Sequence, residues 1–225
     1  MDFAKILDEI ILSDEVVENF HREYINNYDF KKWIDFHIPT VKDCAEQKQN
    51  NPWHKYNVLD HILHSVEAMN SQTRDMNLRE RRILSYTMFF HDMGKPECHI
   101  ERIKNGVMID SFFNHNIAST RIAREVLPIL RFKEQDIEII CKLVFKHDIF
   151  MFIRLHSTDN KHLRILNNDL IREEIEDLNS IGDGLYWLKK LVLVGRSDNL
   201  AQNEKMTAGS LRLLNEFDRM LDNWK

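Results

Sequence analysis

The chain has 225 residues, 43% hydrophobic and 30% charged, with six Gly, four Pro and a formal net charge of −5. That length buries a core without disulfides and leaves no room for a second catalytic domain of ordinary size. The composition excludes disorder, collagen-like repeats and a turn-rich all-β fold, and the acidic balance argues against strong non-specific binding of nucleic acid.

Cys44, Cys98 and Cys141 are widely spaced, odd in number and form no CxxC pair, as expected of reduced thiols in a reducing compartment. The opening MDFAKILDEIILSDEVVENF has no basic leader, cleavage site or long apolar run, so a cytoplasmic chain with no membrane attachment is expected.

Apolar residues recur at helical spacing through most of the chain, and no internal repeat or low-complexity tract interrupts them. Helices are expected over 2–12, 14–28 and 31–48, the last running into the polar stretch EQKQNNP. That stretch is the expected joint between an N-terminal helical extension, 1–50, and a main domain with its C-terminal helix, 51–225. Further helices are expected over 57–72, 77–92, 115–131 and 134–148, then within 160–179, 183–203 and 208–224. The one non-helical element is IERIKNGVMIDSF, where Asn105-Gly106 between two β-capable runs reads as the turn of a short hairpin near 100–113. The predicted fold is therefore an all-α helical bundle carrying one short β-hairpin.

Several apolar stripes end in residues that bind metals. In NVLDHILHSVEAM, His61 lies three residues after Val58 on the buried face. In LSYTMFFHDMGK, His91 and Asp92 follow Met88 by three and four. Leu191, Val194 and Asp198 keep the same step, as do Ile140, Leu143 or Val144, and His147. His115 opens its helix behind Asn114, an expected N-cap. Imidazoles and carboxylates on core faces cost several kcal/mol each unless paired, so their recurrence calls for a common partner, which a cation supplies. Imidazole with carboxylate suits Mn, Fe, Ni, Zn, Co or Mg, with positions left open for catalysis.

Five segments in order carry a resemblance: WHKYNVLDHILHSVEAM at 53–69, FFHDMGKP at 89–96, FFNHNIAST at 112–120, LVFKHD at 143–148 and RSDNLAQN at 196–203. They resemble the HD superfamily of metal-dependent phosphohydrolases, and most closely the HD domain beside the nucleotidyltransferase head of bacterial tRNA nucleotidyltransferases. The resemblance covers about 50–205. It implies an HD-domain helical bundle in which His61, His91, Asp92 and Asp198 hold a divalent ion. It also implies a water activated by that ion, hydrolysing a phosphomonoester or phosphodiester of a nucleotide or related small metabolite. Asp92, Lys95, His115 and His147 are the catalytic candidates: Asp92 orients the water, Lys95 neutralises phosphoryl charge, and the two histidines bind phosphate, move protons or hold a second metal. The chain departs from those relatives in lacking the nucleotidyltransferase head and any GYP motif.

A small phosphorylated substrate, probed first as a nucleotide, is the expected partner, and a homo-oligomer is compatible with this reading. A regulatory module that keeps its metal without turnover, and a di-iron HD oxygenase, are the alternatives. The plainer expectations are that His64 is a surface or supporting residue, Trp53 packs in the core, and His54 makes a surface or capping contact unless both line the pocket. By the same reading His99 and His162 face solvent, Arg79–Arg82 form a charged helix face, and Met69, Met88 and Met93 fill core.

Overall fold

A computed structural model describes residues 1–156 and 160–224. Asn and Asp side chains punctuate the helices in a way that sets their starts. Asp2, Asn27, Asn57, Asn77, Asn167, Asp183 and Asn203 each accept a backbone N–H from the first turn of the helix that follows. Each such cap is worth about 1 kcal/mol over alanine. The helices that result are α1 (Phe3–Ile11), α2 (Val16–Asn26), α3 (Tyr28–His37), α4 (Thr40–Glu46), α5 (Val58–Gln72), α6 (Leu78–Phe90), α7 (His115–Val126), α8 (Glu134–Lys146), α9 (Asn168–Leu178), α10 (Gly184–Leu200) and α11 (Glu204–Asp222). Among the described residues 67% are helical, so the fold is all-α.

The expected helix over 31–48 is two helices. Pro39 disfavours helical backbone at Ile38 and has no N–H to continue the ladder, so the chain breaks between α3 and α4. The hairpin forms as read: β1 (His99–Lys104) pairs antiparallel with β2 (Val107–Phe112), and Lys104 faces Val107 across the turn. Asn105 and Gly106 have φ of 52° and 76°, the two positive values that a two-residue hairpin turn of this hand requires. A second, two-residue pair, β3 (Ile153–Arg154) with β4 (Arg164–Ile165), is parallel and had no sequence signal.

Helix α6 lies at the centre. Its residues Ile83–Phe90 are all buried, as expected for a helix apolar on every side, and it packs on α5, α8 and α10. Met69, Met88 and Met93 are fully buried, as expected. The apolar cluster is continuous from Leu7 in α1 to Leu221 in α11. No helix among the described residues is long and apolar enough to cross a membrane.

Candidate metal centre

The ends of five helices converge on one point. His61 comes from the first turn of α5, His91 and Asp92 follow α6, His115 opens α7, His147 follows α8, and Asp198 sits in the last turn of α10. His61, His91, Asp92, His115 and His147 are at most 8% exposed.

Three of the four imidazoles are oriented by the same local device. Nδ1 of His91 donates to the Met88 carbonyl at 2.6 Å, Nδ1 of His115 to that of Phe112 at 2.7 Å, and Nδ1 of His147 to that of Val144 at 2.7 Å. For His91 and His147 the acceptor is a carbonyl in the last turn of the preceding helix, and the Val144 carbonyl also accepts the His147 backbone N–H. With Nδ1 carrying the hydrogen, each ring turns Nε2 inward as a ligand atom.

The inward atoms fall into two groups. Nε2 of His61 lies 3.2 Å from Asp92 Oδ2 and 3.0 Å from Asp198 Oδ1. Nε2 of His91 lies 3.3 Å from His61 Nε2, 3.3 Å from Asp92 Oδ2 and 3.8 Å from Asp198 Oδ1. Nε2 of His115 lies 3.1 Å from Asp92 Oδ1 and 3.1 Å from His147 Nε2, and His147 Nε2 is 3.7 Å from the same carboxylate oxygen. Asp92 therefore turns one oxygen to each group. Two imidazoles presenting lone pairs at about 3 Å repel unless a proton on one ring or a metal ion lies between them. Ligands bonded at about 2.1 Å to one ion are themselves spaced by about 3 Å or a little more. The donor set thus fits a divalent ion in the first group, and the second group has the same character. The thiol of Cys44 packs on Met93 instead, 3.9 Å from its sulfur. Burial and the Asp92 charge push this thiol well above its ordinary pKa, so it stays protonated.

Electrostatics follow from the geometry. Burial opposes a charge on His91, but the Asp92 and Asp198 carboxylates outweigh it and hold its pKa up at about 10. Burial likewise opposes the charge on Asp92 and Asp198, yet the surrounding histidines, with Lys95 beside Asp92, keep both well below the carboxylate range. His115 is raised despite burial by Asp148 and Asp92. His54 is pushed down to about 2 by burial and the Lys95 charge.

Lys95 is 5% exposed. Its ammonium donates to Asp92 Oδ2 at 2.6 Å and Gln49 Oε1 at 2.9 Å, and approaches His54 Nε2 at 3.4 Å. All three of its N–H groups face protein atoms, and the one that matters to the site presses on the shared carboxylate. Gln49 is itself held by donating to the carbonyls of Tyr56 and Asn57.

All of His61, His91, Asp92, Lys95, His115, His147 and Asp198 come together. Asn114 stands at the start of α7, but with φ of 63° and no side-chain cap bond it does not cap as expected; its left-handed backbone turns the side chain away from the first-turn N–H groups. His64 is outside the site, stacked on Tyr56 and near Glu67. Trp53 is exposed rather than core, because its segment arches over the surface, while His54 beside it is enclosed with its ring 4.9 Å from that of His61. His99 is half-buried and bonded to Asp110 at 2.9 Å, not simply solvent-facing; His162 is exposed.

Two neighbours were not read from the sequence. Gln49 lies in a polar stretch that reads as a joint and carries no signal of its own. Asp148 carries one, since Val144, His147 and Asp148 repeat the spacing of Met88, His91 and Asp92. Comparison with protein-family models and with curated proteins finds no match.

Proposed function

We propose that the chain is a metal-dependent phosphohydrolase of the HD type, acting on a phosphomonoester or phosphodiester of a nucleotide or related small metabolite. The observation that carries this reading is the Asp92 carboxylate, shared between two groups of inward-facing histidines. Bound divalent ions supply an acidified water and positive charge for the phosphoryl oxygens.

The protein's own part is positional. Three backbone carbonyls fix the imidazole tautomers so that Nε2 lone pairs meet at the site. Asp92 can hold an ion with one oxygen and take a hydrogen bond or a second ion with the other. Lys95, already bonded to Oδ2, keeps that carboxylate ionised and oriented. Asp198 and Asp148 are the more open side chains of the centre, 17% and 21% exposed, so a substrate enters from their side.

Elemental analysis of protein purified without chelator, with metal-supplemented hydrolysis of an aryl phosphate, an aryl phosphodiester and a nucleotide panel, tests the reading. Metal in the protein and phosphate release that Asp92→Asn abolishes, while far-UV circular dichroism stays unchanged, are the expected results. Full turnover in Asp92→Asn would sink it. The shared carboxylate equally suits a di-iron oxygenase of the same type, which iron with oxygen-dependent turnover and no phosphate release would reveal. Metal without any turnover would point to a regulatory module.

A further inference from the structure

An ammonium group donates and cannot accept, and the one on Lys95 faces protein atoms on every side: Asp92 Oδ2 at 2.6 Å, Gln49 Oε1 at 2.9 Å and His54 Nε2 at 3.4 Å. The contact with His54 is the longest, yet it settles the chemistry of that ring. A nitrogen that faces an ammonium must be the acceptor, so a neutral His54 carries its hydrogen on Nδ1. Nδ1 is buried and has no hydrogen-bond partner among the described residues, an arrangement that costs free energy until an acceptor meets it.

The loop that carries His54 is fastened on the Asp198 side of the centre. Just beyond the last turn of α10, the Asn203 backbone N–H donates to the Trp53 carbonyl at 2.8 Å and Asn203 Nδ2 to that of Pro52 at 3.0 Å. The His54 ring stands edge to face against that of His61, with centroids 4.9 Å apart. His61 differs from the other three histidines of the centre in that its Nδ1 too is buried without a partner; with its Nε2 lone pair turned inward, that nitrogen is a second N–H. Neighbouring buried donors with no protein acceptor favour an oxygen that accepts and has no hydrogen of its own to place, which describes a phosphoryl oxygen. We propose that His54 binds the substrate, donating Nδ1–H to a phosphoryl oxygen, so that Lys95 acts on the phosphoryl group through this ring rather than by direct contact. Lys95 holds the ring in its donor tautomer and polarises the N–H, as one hydrogen bond strengthens the next along a chain. This inference rests on the phosphohydrolase reading above and adds to it a residue outside the catalytic and metal-binding set.

The test is calorimetric titration of the Mn²⁺-loaded full chain with inorganic phosphate, beside Mn²⁺ titration of the same chelator-treated variants. His54→Phe keeps a ring and removes the donor; it should bind phosphate at least about tenfold more weakly with Mn²⁺ affinity unchanged. His54→Asn, whose amide N–H stands near the place of Nδ1–H, should recover most of the loss, and His54→Leu replaces the phenylalanine variant if that one misfolds. Wild-type phosphate affinity in His54→Phe or His54→Leu would overturn the assignment alone and leave the metal and phosphohydrolase readings intact. Mn²⁺ affinity that falls together with phosphate affinity, or no recovery in His54→Asn, would also overturn it and make His54 a packing partner of His61. A wild-type chain that holds Mn²⁺ but no phosphate removes the phosphohydrolase reading and this inference with it.

Discussion

At His91 a proton and a metal ion compete for the same nitrogen. Its folded pKa of about 10 lies above the ordinary histidine value of about 6.5. Its pairing with Asp92 and Asp198 therefore stabilises the metal-free fold fully below about pH 6.5 and is lost as pH climbs through about 10. Asp92 and Asp198, held below their ordinary range, contribute in the opposite sense: fully above about pH 4, and less as the solution becomes more acid. The metal-free chain should thus melt at a lower temperature near about pH 9 than near about pH 6.5, while Mn²⁺ affinity rises about tenfold per pH unit over that interval as His91 gives up its proton. Melting curves and Mn²⁺ titrations at both values check this, and an affinity that ignores pH would show that His91 meets the ion unprotonated. The residues in this competition were legible in the sequence because each continues an apolar stripe by three or four. Gln49 was not, since its partner Lys95 is 46 positions away in sequence and nothing local marks the contact.

At the scale of elements, the second group depends on how closely α7 approaches the turn after α6. Gly94 permits that approach. A Cβ there would stand 2.5 Å from Ala118 Cβ, 2.5 Å from the Ser119 nitrogen and 2.6 Å from the His115 carbonyl oxygen. Two of the three are backbone atoms that cannot rotate aside, and the Gly94 N–H also donates to Ser119 Oγ at 2.9 Å. Gly94→Ala should cost about 1–3 kcal/mol as an overpacked contact, or a melting temperature lower by about 2–4 °C per kcal/mol at this chain length. By pushing His115 outward it should also weaken the second ion more than the first. Unchanged melting and two unchanged Mn²⁺ affinities would show that α7 yields without cost. Local chemistry explains which elements could be read. Asn105-Gly106 announced its turn, whereas Asn114, the one helix cap read from the sequence, makes no cap bond, and the break at Pro39 was missed because the apolar period runs on through it. The parallel pair β3 and β4 depends on two short segments meeting across the chain, which no local pattern encodes.

For the whole molecule, the question is whether the N-terminal helices are an appendage or part of the core. Phe20 of α2 lies against Phe89 of α6 with ring centroids 6.4 Å apart. Asn70 of α5 donates to the Ile11 and Ser13 carbonyls at 2.8 Å and 2.7 Å while accepting from Ser85 of α6 at 2.6 Å. Arg82 of α6 is bonded to Asp8 of α1 at 2.7 Å. Removing residues 1–46 would leave the buried amide of Asn70 unsatisfied and expose the faces of α5 and α6 that position His61, His91 and Asp92. Such a polar loss costs about 1–3 kcal/mol, and each large apolar side chain stripped of its cover forfeits about 1.5–3 kcal/mol, against a total stability of about 5–15 kcal/mol for an ordinary domain. The truncated chain should therefore aggregate or lose cooperative melting and bind no Mn²⁺, whereas Leu7→Ala in the full chain should cost about 2–5 kcal/mol and still bind it. A truncated monomer that melts cooperatively and binds Mn²⁺ as the full chain does would show that 1–46 is separable. In that case the metal centre is built by α5–α11 alone, and the bonds to Ile11, Ser13 and Asp8 fasten the extension without supporting the site.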